Sequence, residues 1–231
     1  MTGVEAILFD KDGTLFDFQA TWGAWAVDVI DTLAEGHEDR AAALADAARF
    51  DRQAARFHPD SPIIAGTNRE AAERLAAVLP GTRAEALEGF LSERAAQAPL
   101  VAAADLVPLL DRLRNSGLAL GVVTNDTEAV ARAHLSSAGV QDRFRAILGF
   151  DSGHGSKPEP GPLLAAARLL DATPERCLMV GDSRHDLLAA QAAGMTGLGV
   201  LTGPAQEAEL APLAAEVLGS IGELPRYLGL G

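Results

Sequence analysis

Cysteine is nearly missing: Cys177 is the only one in 231 residues. A single thiol excludes a disulfide within the chain and leaves no cysteine set for a structural zinc site. Its setting, the apolar run Cys177-Leu178-Met179-Val180, reads as core filling rather than as a nucleophile. Positive charge is also scarce, with 19 lysines and arginines against 32 aspartates and glutamates and a formal net charge of -13 at pH 7. Such a surface repels a nucleic-acid backbone, and no basic cluster offsets it, so a nucleic-acid polymer is not expected as a partner. No run approaches the ~18 to 20 apolar residues of a membrane span. The first residues carry no basic stretch before a cleavable apolar segment. A cytoplasmic protein with no membrane partner is therefore expected.

What is present is a chain of 48% hydrophobic residues, enough for one domain or for one domain with a sizeable insertion. Short apolar runs at Val4 to Phe9, Leu118 to Val123, Ala146 to Gly149, Cys177 to Val180 and Leu198 to Leu201 read as buried strands. Between the later ones lie helical patterns at Leu106 to Asn115, Glu128 to Ser137, Pro162 to Leu170 and Asp186 to Ala193. This alternation predicts an α/β fold, a Rossmann-like parallel sheet with helices on both faces. Residues 19 to about 98 break the alternation. Alanine and charge recur there at helical spacing, with breaks near Gly36, at His58 to Pro62 and at Pro80-Gly81. Roughly four helices are implied, packed as a small bundle. The expected division is a core of residues 1–16 and 100–231 and an inserted α-helical cap of residues 17–99. The tail after Pro204 is expected to close the core as a helix.

Polar residues concentrate where those strands end. The clusters are Asp10-Lys11-Asp12-Gly13-Thr14, Thr124-Asn125-Asp126 and Gly181-Asp182-Ser183-Arg184-His185-Asp186, with Lys157 in a loop after the strand near 147. Ligands of open parallel sheets bind beyond the C-terminal strand ends, so all four are predicted to converge. Asp10 and Asp12 are two apart and face the same way on an extended segment. With Asp182 they offer the hard oxygens that Mg²⁺ takes. Asp10 is the candidate nucleophile for a phosphoryl group, and Asp12 the candidate general acid and base. Lys157 and Thr124 are candidate phosphate ligands.

Four motifs in this order resemble the haloacid-dehalogenase-like hydrolase superfamily, and the match runs from Val4 to about Val200. They are Asp10-Lys11-Asp12-Gly13-Thr14-Leu15, Thr124-Asn125, Lys157-Pro158-Glu159-Pro160 and Gly181 to Asp186. Ala189 to Met195 is similar to the helix after the fourth motif in phosphoglycolate-phosphatase-like members. The resemblance implies a Mg²⁺-dependent phosphoric monoester hydrolase acting through an aspartyl-phosphate on Asp10. It implies Asp10, the Asp12 backbone oxygen, Asp182 and Asp186 as metal ligands, and Thr124, Asn125 and Lys157 as the phosphate site. Thr14 and Ser183 are then supporting residues. Dehalogenases do not need a carboxylate at the position of Asp12, so its presence favours phosphate esters. Lys11 departs from the apolar residue common between the two aspartates, and its head is expected to point away from the metal.

Substrate residues are less legible. Trp22 and Trp25 share a helix face and read as packing, with Trp22 also a candidate for a substrate pocket, as is Phe18. Arg69 follows Thr67, which with Glu70 has the spacing of a capping box, and is a candidate for a substrate carboxylate. Arg184 and His185 are candidates to read a leaving group. The expected partner is a small phosphorylated metabolite, phosphoglycolate first. A sugar-phosphate mutase, a nucleotidase, a pyrophosphatase and a metabolite-binding regulator without activity are the alternatives. Monomer and homodimer both stay open.

Overall fold

The first apolar run becomes the first strand. In the computed structural model, which describes residues 3–64 and 66–230, Ala6–Phe9 forms β1. It is followed by α1 (Phe18–Ala34), α2 (Glu38–Ala48), β2 (Phe50–Asp51), β3 (Arg56–Phe57), α3 (Asn68–Ala76) and α4 (Ala84–Ala95). Then come α5 (Leu106–Asn115), β4 (Ala119–Val123), α6 (Glu128–Ser137), β5 (Ala146–Leu148) and α7 (Gly161–Leu169). The chain ends with β6 (Cys177–Gly181), α8 (Arg184–Ala193), β7 (Thr196–Val200), α9 (Glu207–Leu210), β8 (Glu216–Leu218) and α10 (Leu224–Tyr227). Two compact units result: Gln19–Leu100, and the segments up to Phe18 and from Val101 onward.

The larger unit holds a six-stranded parallel sheet in the order β5-β4-β1-β6-β7-β8. β1 lies inside it, with Ala6 paired to Ala119 on one side and Cys177 on the other. All of β1 is fully buried. Its alternate residues serve opposite faces. Ala6 and Leu8 join Leu163 and Ala166 of α7 and Ala189 and Ala190 of α8 in one apolar cluster. Ile7 and Phe9 point the other way, where Phe9 meets Phe144 edge-on at 6.2 Å between ring centroids. Helices on both faces explain why these strands read as continuous apolar runs.

The tail corrects the expected closing helix. Pro212 lacks an N–H and its ring crowds the preceding turn, which holds α9 to Glu207–Leu210. Glu216–Leu218 then adds an edge strand on β7, with Glu216 exposed and Leu218 buried. A short strand carrying a charge is a common way to end a sheet without inviting another chain.

In the smaller unit the described residues form the expected helices and, in addition, an antiparallel hairpin. Phe50 pairs with Phe57, and their rings lie 4.8 Å apart. The Asp51 carboxylate accepts from the Gln53 and Ala54 amides at 2.9 and 3.0 Å, which turns the chain between the two strands. Two-residue strands carry no alternation to read, so the hairpin has no sequence signature beyond its aromatics. Thr67 caps α3, and Glu70 completes the capping box. No helix among the described residues is long and apolar enough to cross a membrane.

Leu8 sits at the centre of the buried cluster, so Leu8→Ala should lower the unfolding free energy by about 2–5 kcal/mol. Urea unfolding followed by far-UV circular dichroism reads this. Both tryptophans lie in the smaller unit, so their fluorescence follows that unit separately. A loss below about 1 kcal/mol would contradict the central packing of Leu8.

Candidate active site

Strand order delivers the polar clusters to one edge. After β1 the chain proceeds to β4 and β5 on one side, then crosses to β6, β7 and β8 on the other. The direction therefore changes at β1, and a crevice opens at the C-terminal ends of such strands. Asp10 sits just beyond β1, and its amide donates to the Val180 carbonyl at 2.8 Å. Thr124 follows β4, with its amide on the Leu148 carbonyl at 3.0 Å. Asp182 follows β6, and α8 starts within two residues of it.

Three carboxylates meet there. Asp10, Asp182 and Asp186 each present an oxygen within 4.8 Å of the others, and all three residues are buried. Lys157 reaches into the group, donating to Asp10 Oδ1 at 2.7 Å and to Asp186 Oδ1 at 2.6 Å. If all are ionised, the sum is -3 + 1 = -2 for this set. The electrostatics register the excess. Burial lifts Asp10 from its ordinary 3.8 to about 6, with Lys157 opposing and Asp186 and Asp12 adding to the rise. Asp182 is pushed well above 3.8 by burial and by the charges of Asp10 and Asp186. Burial alone would lower the Lys157 ammonium, yet Asp10 and Asp186 outweigh it and hold it above its usual range. An all-oxygen set with surplus negative charge fits a hard cation, so the cluster can hold a metal ion.

Close backbone approach shapes the set. Gly13 has φ +84°, and a Cβ there would fall 2.4 Å from Asp182 Oδ2. Gly203 approaches from the loop after β7, where a Cβ would fall 1.8 Å from the same oxygen. Only glycine leaves room at both. Thr14 Oγ1 donates to Asp182 Oδ1 at 3.4 Å, and Thr202 Oγ1 donates to the Gly13 carbonyl at 2.6 Å. Thr202 and Gly203 escaped the sequence reading because they look like the start of a surface tail.

Asp186 is set by the end of α8. Ser183 donates to its Oδ2 through both the amide, at 3.0 Å, and the hydroxyl, at 2.6 Å. Its other oxygen then faces Lys157. Thr124 Oγ1 accepts from the Asp126 amide at 3.1 Å, which leaves the hydroxyl proton to donate elsewhere. Asn125 grips the Lys157 backbone at two points. Its Nδ2 donates to the Lys157 carbonyl and its Oδ1 accepts from the Lys157 amide, both at 2.9 Å. The side chain thereby positions the lysine loop.

Lys11 is wholly buried and takes a different set of partners from Lys157. Its ammonium contacts Asp12 Oδ2 at 2.6 Å, His134 Nδ1 at 2.9 Å and Asp126 Oδ2 at 3.4 Å. Burial would depress it, but Asp12 and Asp126 hold its proton affinity above the usual value. Asp126 is itself raised, chiefly by burial, with Lys11 opposing. The sequence gives Asp126 and His134 no mark that links them to Lys11.

The remaining candidates divide between the two units. Arg184 is exposed and His185 half-buried at the start of α8. Phe18 is buried, with its amide on the Thr202 carbonyl at 3.4 Å. In the smaller unit, Trp22 is buried against Trp25, edge to face at 5.2 Å. Arg69 is exposed and pairs with Glu88 at 3.5 Å.

The family model described as haloacid dehalogenase-like hydrolase matches residues 4–194. A phosphoglycolate phosphatase of Xanthomonas campestris is 32% identical over 198 residues, covering 86% of this chain and 83% of its own. Among solved structures, CbbY from Rhodobacter sphaeroides in complex with phosphate aligns with a TM-score of 0.70 at 23% identity, covering 96% of both chains. A HAD phosphatase from Thermococcus onnurineus aligns with a TM-score of 0.69 at 24% identity, covering 98% of both. The matched segment runs from β1 through α8 and so contains every carboxylate of the cluster, and the chain belongs to the haloacid dehalogenase-like hydrolases as a phosphoric monoester hydrolase.

Proposed function

We propose that this enzyme hydrolyses a small phosphorylated metabolite of the phosphoglycolate type, with Mg²⁺ as its metal and Asp10 as its nucleophile. The buried cluster of Asp10, Asp182 and Asp186 around Lys157 carries this reading. Asp10, Asp182, Asp186 and the Asp12 backbone oxygen are the proposed ligands. Bound there, the metal supplies positive charge that lets one anion approach another.

The protein's own groups do the rest. An Asp10 oxygen bonds to phosphorus as the ester P–O bond breaks, and Asp12 gives its proton to the departing alkoxide. Water then attacks the aspartyl-phosphate while the Asp12 carboxylate takes its proton. Inorganic phosphate leaves and Asp10 is restored. Lys157 and the Thr124 hydroxyl bind phosphoryl oxygens, and Asn125 keeps Lys157 in place. The substrate class is drawn from the relatives, the Xanthomonas protein above all.

The deciding assay is phosphate release from a panel of small monoesters, with Mg²⁺ or with EDTA. Turnover should need Mg²⁺, include phosphoglycolate among the preferred esters, and fall at least about 10³-fold in Asp10→Asn with the fold retained. A folded, Mg²⁺-loaded wild type that releases phosphate from no ester would overturn the reading.

Asn125→Ala removes both bonds to the Lys157 backbone. It should lower kcat by about 10- to 100-fold through misplacement of the lysine. Unchanged kcat in that variant would show that the clamp is dispensable.

The raised Asp10 pKa makes metal-free stability depend on pH. Between 3.8 and about 6 the folded protein keeps a proton that the unfolded chain has lost. The stabilisation is complete below 3.8 and is lost as pH rises through about 6. Unfolding of the EDTA-treated protein should therefore become easier across that window, by about 2–3 kcal/mol from Asp10. Asp182 extends the decline to higher pH. Saturating Mg²⁺ should remove it. A metal-free stability that is flat or rising over that range would contradict the crowding of the carboxylates.

A further inference from the structure

Lys11 is a buried cation that the proposed reaction does not use. It stands where the family that the first motif resembles commonly has an apolar residue. Its ammonium carries three N–H donors, and three acceptors surround it: Asp12 Oδ2 at 2.6 Å, His134 Nδ1 at 2.9 Å and Asp126 Oδ2 at 3.4 Å. Lys11, Asp126 and His134 are all buried, whereas the Asp12 side chain keeps 16% of its surface exposed. The cluster thus has a closed interior and one member at its edge.

Each interior member is anchored. Asp126 accepts from the Thr127 amide through Oδ1 at 2.8 Å, and its own amide is on Thr124 Oγ1 at 3.1 Å. His134 lies on α6, and its ring stands edge-on to Phe16 at 6.4 Å between centroids. An ammonium can only donate, so Nδ1 is the accepting partner in this contact. The ammonium is therefore held from the α6 end by buried groups that have partners of their own.

We propose that Lys11, held by Asp126 and His134, is the positioning residue for Asp12 as general acid. This rests on the phosphatase reading above. Fixing Asp12 Oδ2 sets the rotation of the carboxyl group, and with it the direction in which the other oxygen presents its proton to the leaving group. Lys11 acts through Asp12 and touches no reacting atom.

The test compares Lys11→Met and the charge-matched Lys11→Met/Asp126→Asn with wild type. The double variant leaves no unmatched buried carboxylate at Asp126, which guards against simple unfolding, and thermal unfolding checks the fold of both. Leaving-group release is measured in single turnovers, with Mg²⁺-loaded enzyme in excess. The substrates are an alkyl phosphate and p-nitrophenyl phosphate, whose phenolate departs with little help from an acid. The double variant should lose about 10- to 100-fold on the alkyl ester and less than about threefold on the aryl ester, with half-saturation changed less than about threefold. Equal losses on the two esters, or wild-type rates on both, would overturn the positioning role and leave the phosphatase reading intact. A wild type that transfers phosphoryl from neither ester would overturn that reading and the proposal with it.

Discussion

Two carboxylates, on Asp10 and Asp186, share the ammonium of Lys157, and a third, on Asp182, stands beside them in the same buried space. Charges of one sign do not gather out of water unless something compensates, and one lysine does not balance three aspartates. Much of the surrounding structure exists to hold this arrangement. The parallel order sets Asp10 between the ends of β4 and β6. Ser183 and the first turn of α8 fix Asp186, Thr14 touches Asp182, and Asn125 grips the backbone that carries Lys157.

The two buried lysines divide this loop between them. Lys157 faces Asp10 and Asp186, and Lys11 faces Asp12 and Asp126. Asp10 and Asp12 are neighbours but one in sequence, yet each has its own counter-charge: the distant Lys157 for Asp10 and the adjoining Lys11 for Asp12. That separation places two like residues, one position apart, in different electrostatic surroundings.

The sheet and the strand-end clusters were legible because both rest on local patterns. A buried parallel strand is a continuous apolar run, and the polar residues that follow it stand out against it. Lys157, Thr124, Asp182 and Asp186 were found that way. What escaped depends on distance. Lys11 and His134 are 123 positions apart, and nothing in either segment points to the other. Asn125 could be placed near phosphate by its neighbours, but only coordinates show its amide turned to the Lys157 backbone. The Phe50–Phe57 hairpin is too short to alternate, and the tail looked helical by composition until Pro212 and the pairing of Glu216–Leu218 with β7 are seen. Each of these is a contact that propensity does not encode.

The central place of β1 also has a consequence for the chain as it is made. Ala6–Phe9 leaves the ribosome before its partners Ala119–Val123 and Cys177–Gly181, which follow only after the whole of Gln19–Leu100 has been synthesised. Sequence-distant strands must close a long loop before they gain anything from pairing. Throughout that interval four apolar residues with unpaired backbone on both edges travel exposed on the nascent chain, a segment suited to chaperone capture. The aspartate proposed to attack phosphorus is thus translated well before the strands that lock it in place.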